Sequence, residues 1–455
     1  QINPNHTMKK IQLIVLLTLS FVLQAQTNTL KESYSFSLNE AIDYALKNNY
    51  SAINAGRDID AAKKKKWETT TIGLPQINAS LGYQNNIELQ KSLIPAEFFG
   101  GTKGEFAEVA FGTRHNMLGS ATVSQLLFNG SYLVGLQSAK VYLQISENAK
   151  IKTNQEIREM VVNAYGNVLL ANESIAILEK NKLNLEKTLN ETNQIFKNGL
   201  IEEENVEQLQ ITLTTIKSAQ ENIKRQKVIA TNMLKLILGI TIDKELVLTE
   251  NLNNLSLNYI NFELTTTPFQ VENSIDFKIQ ENLVQSKKLL LLLEKSNALP
   301  SLGAAYNIGY NAFGNQFQFF TNNQKWLNFA NVGVSLNVPI FSSLGRSART
   351  QQAKIALEQA KTQMLQVEQS LKLQFEKAKS DYEYSLEQLN TTKSSLALAE
   401  RIENKQQIKL KEGLSSSFDL SEAQRQLYST QQNYLQAMLD VINKKASLEK
   451  ITTKN

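Results

Sequence analysis

Apolar and polar residues alternate along four short stretches of the chain. In 76–84, Ile77, Ala79, Leu81 and Tyr83 fall on one side, and Gln76, Asn78, Ser80, Gly82 and Gln84 on the other. In 301–310, Leu302, Ala304, Tyr306, Ile308 and Tyr310 alternate with small and polar residues. In 332–340, Val332, Val334, Leu336, Val338 and Ile340 do the same, and 120–128 is a less regular fourth case. A period of two over about ten residues predicts β-strands with one apolar and one wet face. Taken alone, it suits a membrane strand and a half-solvated soluble sheet equally well.

The rest of the pattern is helical. Ala353, Leu357, Ala360, Met364, Val367, Leu371, Phe375, Ala378 and Tyr382 recur at steps of three and four, a seam of near-heptad spacing. No proline interrupts 130–198 or the run from Phe341 to Glu412. Each predicts a helix of about 70 residues, about 100 Å long. Shorter helices are predicted over 38–70, 200–237, 268–297 and 414–449. In each half the two shorter helices together match one long helix, so they can stack end to end beside it.

This order occurs twice. Leu74-Pro75 before the first strand is echoed by Leu299-Pro300, and Val123 to Phe128 by Leu336 to Phe341. Phe196 to Leu200 is echoed by Leu410 to Leu414, at an offset of 214. The expected fold class is therefore α+β, a duplicated β-β-long-helix repeat. The first repeat is expected over 26–255 and the second over 256–455. Residues 1–25 read as an upstream extension plus a signal peptide (8–25). Met8-Lys9-Lys10 is its basic start, Ile11 to Leu23 is mostly apolar, and cleavage is expected near Ala25. That run is too short to span a bilayer, which needs about 20 residues. No later apolar run reads as a transmembrane helix.

Composition narrows the function. Hydrophobic residues make up 42% and charged residues 20%, enough for a packed structure. The net charge of +5 is spread over helices that mix lysine with glutamate, which argues against a nucleic-acid stripe. Lys63 to Lys66 reads as the basic end of a helix, or as a contact to anionic headgroups. There is no cysteine, hence no disulfide, no thiolate metal site and no lipid anchor on cysteine. The two histidines, His6 and His115, cannot build a zinc site. Gly100 to Gly104 lacks the Gly-Lys-Ser/Thr ending of a phosphate loop. It reads as part of a long outer loop, 86–119, with 311–329 as the shorter counterpart. We expect no enzyme, no metal and no cofactor.

Four strands cannot close a barrel, for which about eight are the practical minimum. An open edge in lipid leaves backbone groups unpaired at several kcal/mol each. Other copies must complete it: two would give eight strands and three would give twelve. Trp67, Phe128, Trp326, Phe329 and Phe341, at or near strand ends, suit the membrane–water interface, or else local packing.

The signal segment, the duplicated order and the Leu-Pro before each first strand together resemble the TolC-like outer-membrane efflux family (outer membrane factors), over about 36–450. The resemblance implies a homotrimer in the outer membrane of a Gram-negative bacterium. Each chain would give four strands to a 12-stranded β-barrel continuous with a long periplasmic α-helical barrel. It also implies the channel component of a tripartite efflux or type I secretion system, conducting cargo passively. Its partners would be a periplasmic adaptor (membrane fusion) protein, an inner-membrane pump of RND or ABC type, and outer-membrane lipid. The family meets its adaptor at helix-hairpin tips. The matching residues are Gly199, Leu200 and Asn205, and Gly413, Leu414 and Asp419. Glycine stopping a helix and Asn or Asp capping the next explain these positions equally well. Glu202, Glu203, Glu204 and Glu207 make the first tip acidic, either as a negative entrance or as a favourably charged helix start. A coiled-coil scaffold or adhesin, periplasmic or at the surface, is the competing reading. It predicts solubility without detergent.

Overall fold

The computed structural model describes residues 33–453, so the expected signal segment lies outside the described residues. The described residues open with strand β1 (Ser33–Phe36), helix α1 (Leu38–Asn48) and helix α2 (Tyr50–Thr71). Strands β2 (Gln76–Asn85), β3 (Lys91–Pro95), β4 (Phe106–Ala110) and β5 (His115–Asn129) follow, then helices α3 (Gly130–Lys197) and α4 (Glu203–Leu238). Next come β6 (Glu245–Leu248), α5 (Leu252–Asn258), α6 (Glu263–Thr266) and α7 (Ile275–Ser296). Strands β7 (Ser301–Gly314) and β8 (Trp326–Asn337) lead into α8 (Gly345–Lys411) and α9 (Ser417–Thr452). The chain divides into two compact units, and each takes parts of both repeats.

One unit, within 54–152 and 270–373, holds an antiparallel sheet in the order β2-β5-β7-β8. Alternation carries the strands further than the clearest stretches suggested. β7 runs on to Gly314 and β8 starts at Trp326, so the shorter loop contracts to 315–325, and β5 already starts at His115. β8 stops at Asn337, short of the expected Ile340, because Pro339 has no N–H for the ladder. The first loop is not open chain: β3 and β4 pair there as a hairpin. The two strand-to-helix junctions differ. β5 passes into α3 without a linker, whereas Ser343 and Leu344 before α8 take left-handed backbone angles.

The other unit, within 33–53, 153–269 and 374–453 of the described residues, is mainly helical around a large apolar core. Ile157, Val161, Tyr165 and Leu169 of α3 meet Phe375 and Tyr382 of α8 and Leu435, Met438 and Val441 of α9 there. Each such buried side chain contributes about 1.5–3 kcal/mol. One stretch of α3 is, by length and composition alone, long and apolar enough to cross a membrane. More than half of it is buried within the protein, as in an ordinary core helix.

Elements that the pattern did not show also sit in this unit. β1 pairs in parallel with β6. Tyr165 donates its hydroxyl proton to the Phe36 carbonyl at 3.0 Å, and the Tyr382 hydroxyl accepts from the Asn261 N–H at 3.0 Å. The two tyrosines, one on each long helix, thus tether the connecting segments. The helix expected over 38–70 breaks at Asn49. Its side chain accepts from the Ser51 N–H at 2.8 Å, starting α2, and donates to the Ile237 carbonyl at 2.7 Å. Gly239 meets the same corner. A Cβ there would lie 2.2 Å from the Asn48 carbonyl oxygen, and its φ is +78°. Only glycine fits both demands.

Candidate functional site: helix tips and sheet faces

The two helix hairpins end in the same turn. Gly199 (φ 75°) and Gly413 (φ 68°) are left-handed. The Leu200 N–H reaches the Ile195 carbonyl at 3.2 Å and the Leu414 N–H reaches the Lys409 carbonyl at 2.8 Å. These are Schellman-type closures, which satisfy the last helix carbonyls.

Beyond the glycines the tips diverge. At the second, Ser416 is the N-cap of α9 and forms a full capping box with Asp419. Asp419 Oδ2 accepts from Ser416 Oγ at 2.7 Å, from the Ser416 N–H at 3.1 Å and from Ser415 Oγ at 3.2 Å. The Ser416 hydroxyl, then its backbone N–H, hold the Asp419 carboxyl below the usual range. At the first tip, Glu202 starts α4 with no side-chain cap. Asn205 does not cap its own helix either. Its Oδ1 accepts from the Ser417 N–H at 3.2 Å and so ties the two tips together. Below them, Leu178, Leu185, Leu209, Leu213 and Leu420 form a separate apolar core.

Leu200 is 74% exposed and Leu414 77%. Phe418, which the sequence reading passed over, is 60% exposed in the first turn of α9. Its signal was available: an aromatic residue two positions after the cap, off the face on which Ser417 and Leu420 are buried. Glu203 and Glu204 occupy the first turn of α4, where a negative charge complements the helix dipole.

The sheet separates two chemistries. On one face the register aligns Ile77, Val123, Tyr306 and Val332, and next to them Ala79, Ala121, Ile308 and Ala330. Ile77 and Val332 are 74% and 75% exposed, so this chain covers little of the apolar face. On the other face Asn78, Thr122, Asn307 and Asn331 form a row across all four strands. Thr122 Oγ1 donates to Asn307 Oδ1 at 2.5 Å, and Asn307 Nδ2 to Asn331 Oδ1 at 3.1 Å. The Ser80 and Ser120 hydroxyls meet at 3.0 Å in the next row. Strands of 10 to 15 residues suffice to cross a bilayer, for which about 9–11 are needed.

The aromatic residues fall in different places. Trp326 opens β8 on the apolar face, and Phe128 follows the bulge in β5. Phe329 is on the polar face, within β8 and not before it. The register sets it beside Gly309 in the row of Ser80 and Ser120. A Cβ on Gly309 would lie 2.6 Å from the Phe329 ring, so the glycine makes the space this ring fills. Phe341 lies past the strand and Trp67 on α2, both exposed. Among the described residues no group of His, Cys, Asp and Glu could hold a metal.

A sheet apolar on one face and uncharged polar on the other, joined to very long helices, defines a membrane channel component. The family model for outer membrane efflux proteins matches residues 41–240 and 275–453, and the chain belongs to that family. Its two matched segments agree with the duplication. TolC of Vibrio cholerae serotype O1, an outer membrane protein, is 22% identical over 93% of this chain and 92% of its own length. Among solved structures, CusC superposes with a TM-score of 0.74 at 17% identity, covering 92% of each chain. The open MtrE channel of Neisseria gonorrhoeae does so with 0.69 at 18%, covering 91% of this chain and 88% of its own. The protein is thus a member of a family of outer-membrane efflux channels, a family of channels and not of catalysts.

Proposed function

We propose that three copies close a 12-stranded barrel continuous with a helical tube, and that this tube conducts cargo passively out of the cell. The observation that carries the proposal is the open sheet. Within the chain β2 and β8 each pair on one side only, and the apolar face is bare. Unpaired edges are untenable in lipid, so other copies must supply the missing partners. The repeats then each contribute two strands and one long helix. A division at 255/256 would fall inside α5, so the connecting segment after α4 makes a better boundary.

In this reading the channel works with a periplasmic adaptor and an RND or ABC pump, in tripartite efflux or type I secretion. The adaptor docks on the tips around Gly199, Leu200, Asn205, Gly413, Leu414 and Asp419. Exposed Leu200, Leu414 and Phe418 supply the apolar contacts that dominate such interfaces. Glu202, Glu203, Glu204 and Glu207 favour cations at the entrance. The rows of Asn, Ser and Thr inside the sheet carry no charge, so the wall does not sort cargo by charge and selection falls to the pump. Trp67, Phe128, Trp326 and Phe341 anchor the membrane boundaries. Docking opens the entrance by binding the open state more tightly than the closed one. Electron microscopy of the detergent-purified protein tests this. A threefold hollow particle with a micelle at one end is expected. Water-soluble rods or monomers would overturn it in favour of a coiled-coil scaffold.

A further inference from the structure

The loop between β2 and β5 is built as a separate module. The Asn86 N–H closes its base on the Arg114 carbonyl at 2.7 Å. Lys91 and Glu108 pair across the β3–β4 hairpin at 2.8 Å, and the Ala96 N–H donates to the Glu105 carbonyl at 2.8 Å. The module holds itself together without its phenylalanines. Phe98 is 79% exposed, Phe99 63%, Phe106 64% and Phe111 59%. Four bare aromatic rings on so short a segment are unusual for a surface that meets only water.

A second apolar surface lies at the same end of the sheet. In 315–325, Phe319 is buried against Met117 and Ala312 and fixes the segment. Phe317 stands edge-on to Tyr83 at 5.3 Å between ring centres. Phe317 and Phe320 nonetheless remain 54% and 78% exposed.

Topology brings the two surfaces together, though in different copies. β2 and β8 are the two edges of an all-antiparallel four-stranded sheet, so they run in opposite directions. The free edge of β2 in one copy therefore pairs antiparallel with the free edge of β8 in the next, without turning either strand. β2 ends at Asn85, just before the hairpin, and β8 begins at Trp326, just after 315–325. Wherever that seam forms, the hairpin of one copy stands beside the 315–325 segment of its neighbour. We propose that the hairpin phenylalanines pack on Phe317 and Phe320 of the adjacent copy and fasten the subunit seam at the outer mouth of the barrel. This rests on the multi-copy barrel proposed above. It adds a contact that the strands alone do not require.

The chain has no cysteine, so introduced thiols report without background. The double variant Phe98→Cys with Phe320→Cys is treated with a short bis-maleimide in the intact outer membrane and run on denaturing gels. Crosslinked dimers and trimers are expected from the double variant, and only monomers from either single variant. Equal crosslinking by Phe98→Cys alone would mean that hairpins meet one another, and would overturn the proposal. No crosslink, with the native mass still that of a trimer, would overturn it while leaving the barrel standing. A monomeric native mass for the unsubstituted protein would instead sink the barrel reading itself. As an independent check, Phe98→Ala/Phe99→Ala/Phe106→Ala should lower the temperature at which the oligomer dissociates in detergent. An unchanged temperature would count against the staple.

Discussion

The two helix-hairpin tips make the same turn and then solve the next problem differently. Both end a very long helix on a left-handed glycine followed by an exposed leucine. The second tip then closes on itself, through the Ser416–Asp419 capping box. The first has no side-chain cap and spends Asn205 on its neighbour's Ser417. The second tip is locally self-sufficient, while the first is held through its contact with the second. The duplicated sequence therefore does not make duplicated energetics. A partner that pulls the tips apart would release the first sooner than the second.

This difference can be broken experimentally. The largest effect is expected from Phe418→Ala, which removes the bare aromatic at the second tip. Adaptor affinity should fall at least about tenfold, near 1.4 kcal/mol, as for an aromatic anchor. Titration with the purified adaptor checks this, and unchanged affinity would place the contact elsewhere. Gly199→Ala and Gly413→Ala should each cost about 1–2 kcal/mol, through the left-handed backbone alone. A Cβ at either glycine meets nothing within 4 Å, so the two losses should be equal. Thermal unfolding of the helical signal in detergent would show this.

Ser416→Ala should cost about 1 kcal/mol through the lost cap. Glu202→Ala, which removes no cap, should cost much less. Comparable losses would show that the first tip hides a cap in solution. Asn205→Ala should cost about 1 kcal/mol and loosen both tips together. Local amide exchange at Ser417 is the direct reading.

The smallest effect concerns pH. The carboxyl of Asp419 is held below its usual pKa, so its contribution is present above the ordinary carboxylate value, about 3.9. It is lost as pH falls through the lowered value. The protection of the amides at the second tip, taken relative to their intrinsic exchange rate at each pH, should therefore fall on acidification through that lowered value, and Asp419→Asn should remove that dependence. The Asn205 link to the Ser417 N–H involves no titrating group and should respond only indirectly.

Position by position, the tips show what a linear pattern conveys. Gly199 and Gly413 were legible because a left-handed stop needs glycine wherever it occurs. Asp419 as a capping residue was legible for the same local reason, with Ser416 three residues before it. Asn205 was misread as a cap, since nothing in its neighbours reveals that its acceptor faces another helix 212 residues away. The face that Phe329 takes was not legible, because it depends on where β8 begins and on its register against β7. A shift of one residue inverts every side chain.

Local periodicity and chain chemistry thus determined the four strands of the large sheet, the long helices, their duplication and the class of molecule, because each depends on residues a few positions apart. The break at Asn49, the parallel pair β1 and β6, the tyrosine tethers and the tie between the tips were decided only in three dimensions. Each joins groups far apart along the chain. Such pairings are selected by the free energy of burying and satisfying polar atoms together, and that energy has no period to read.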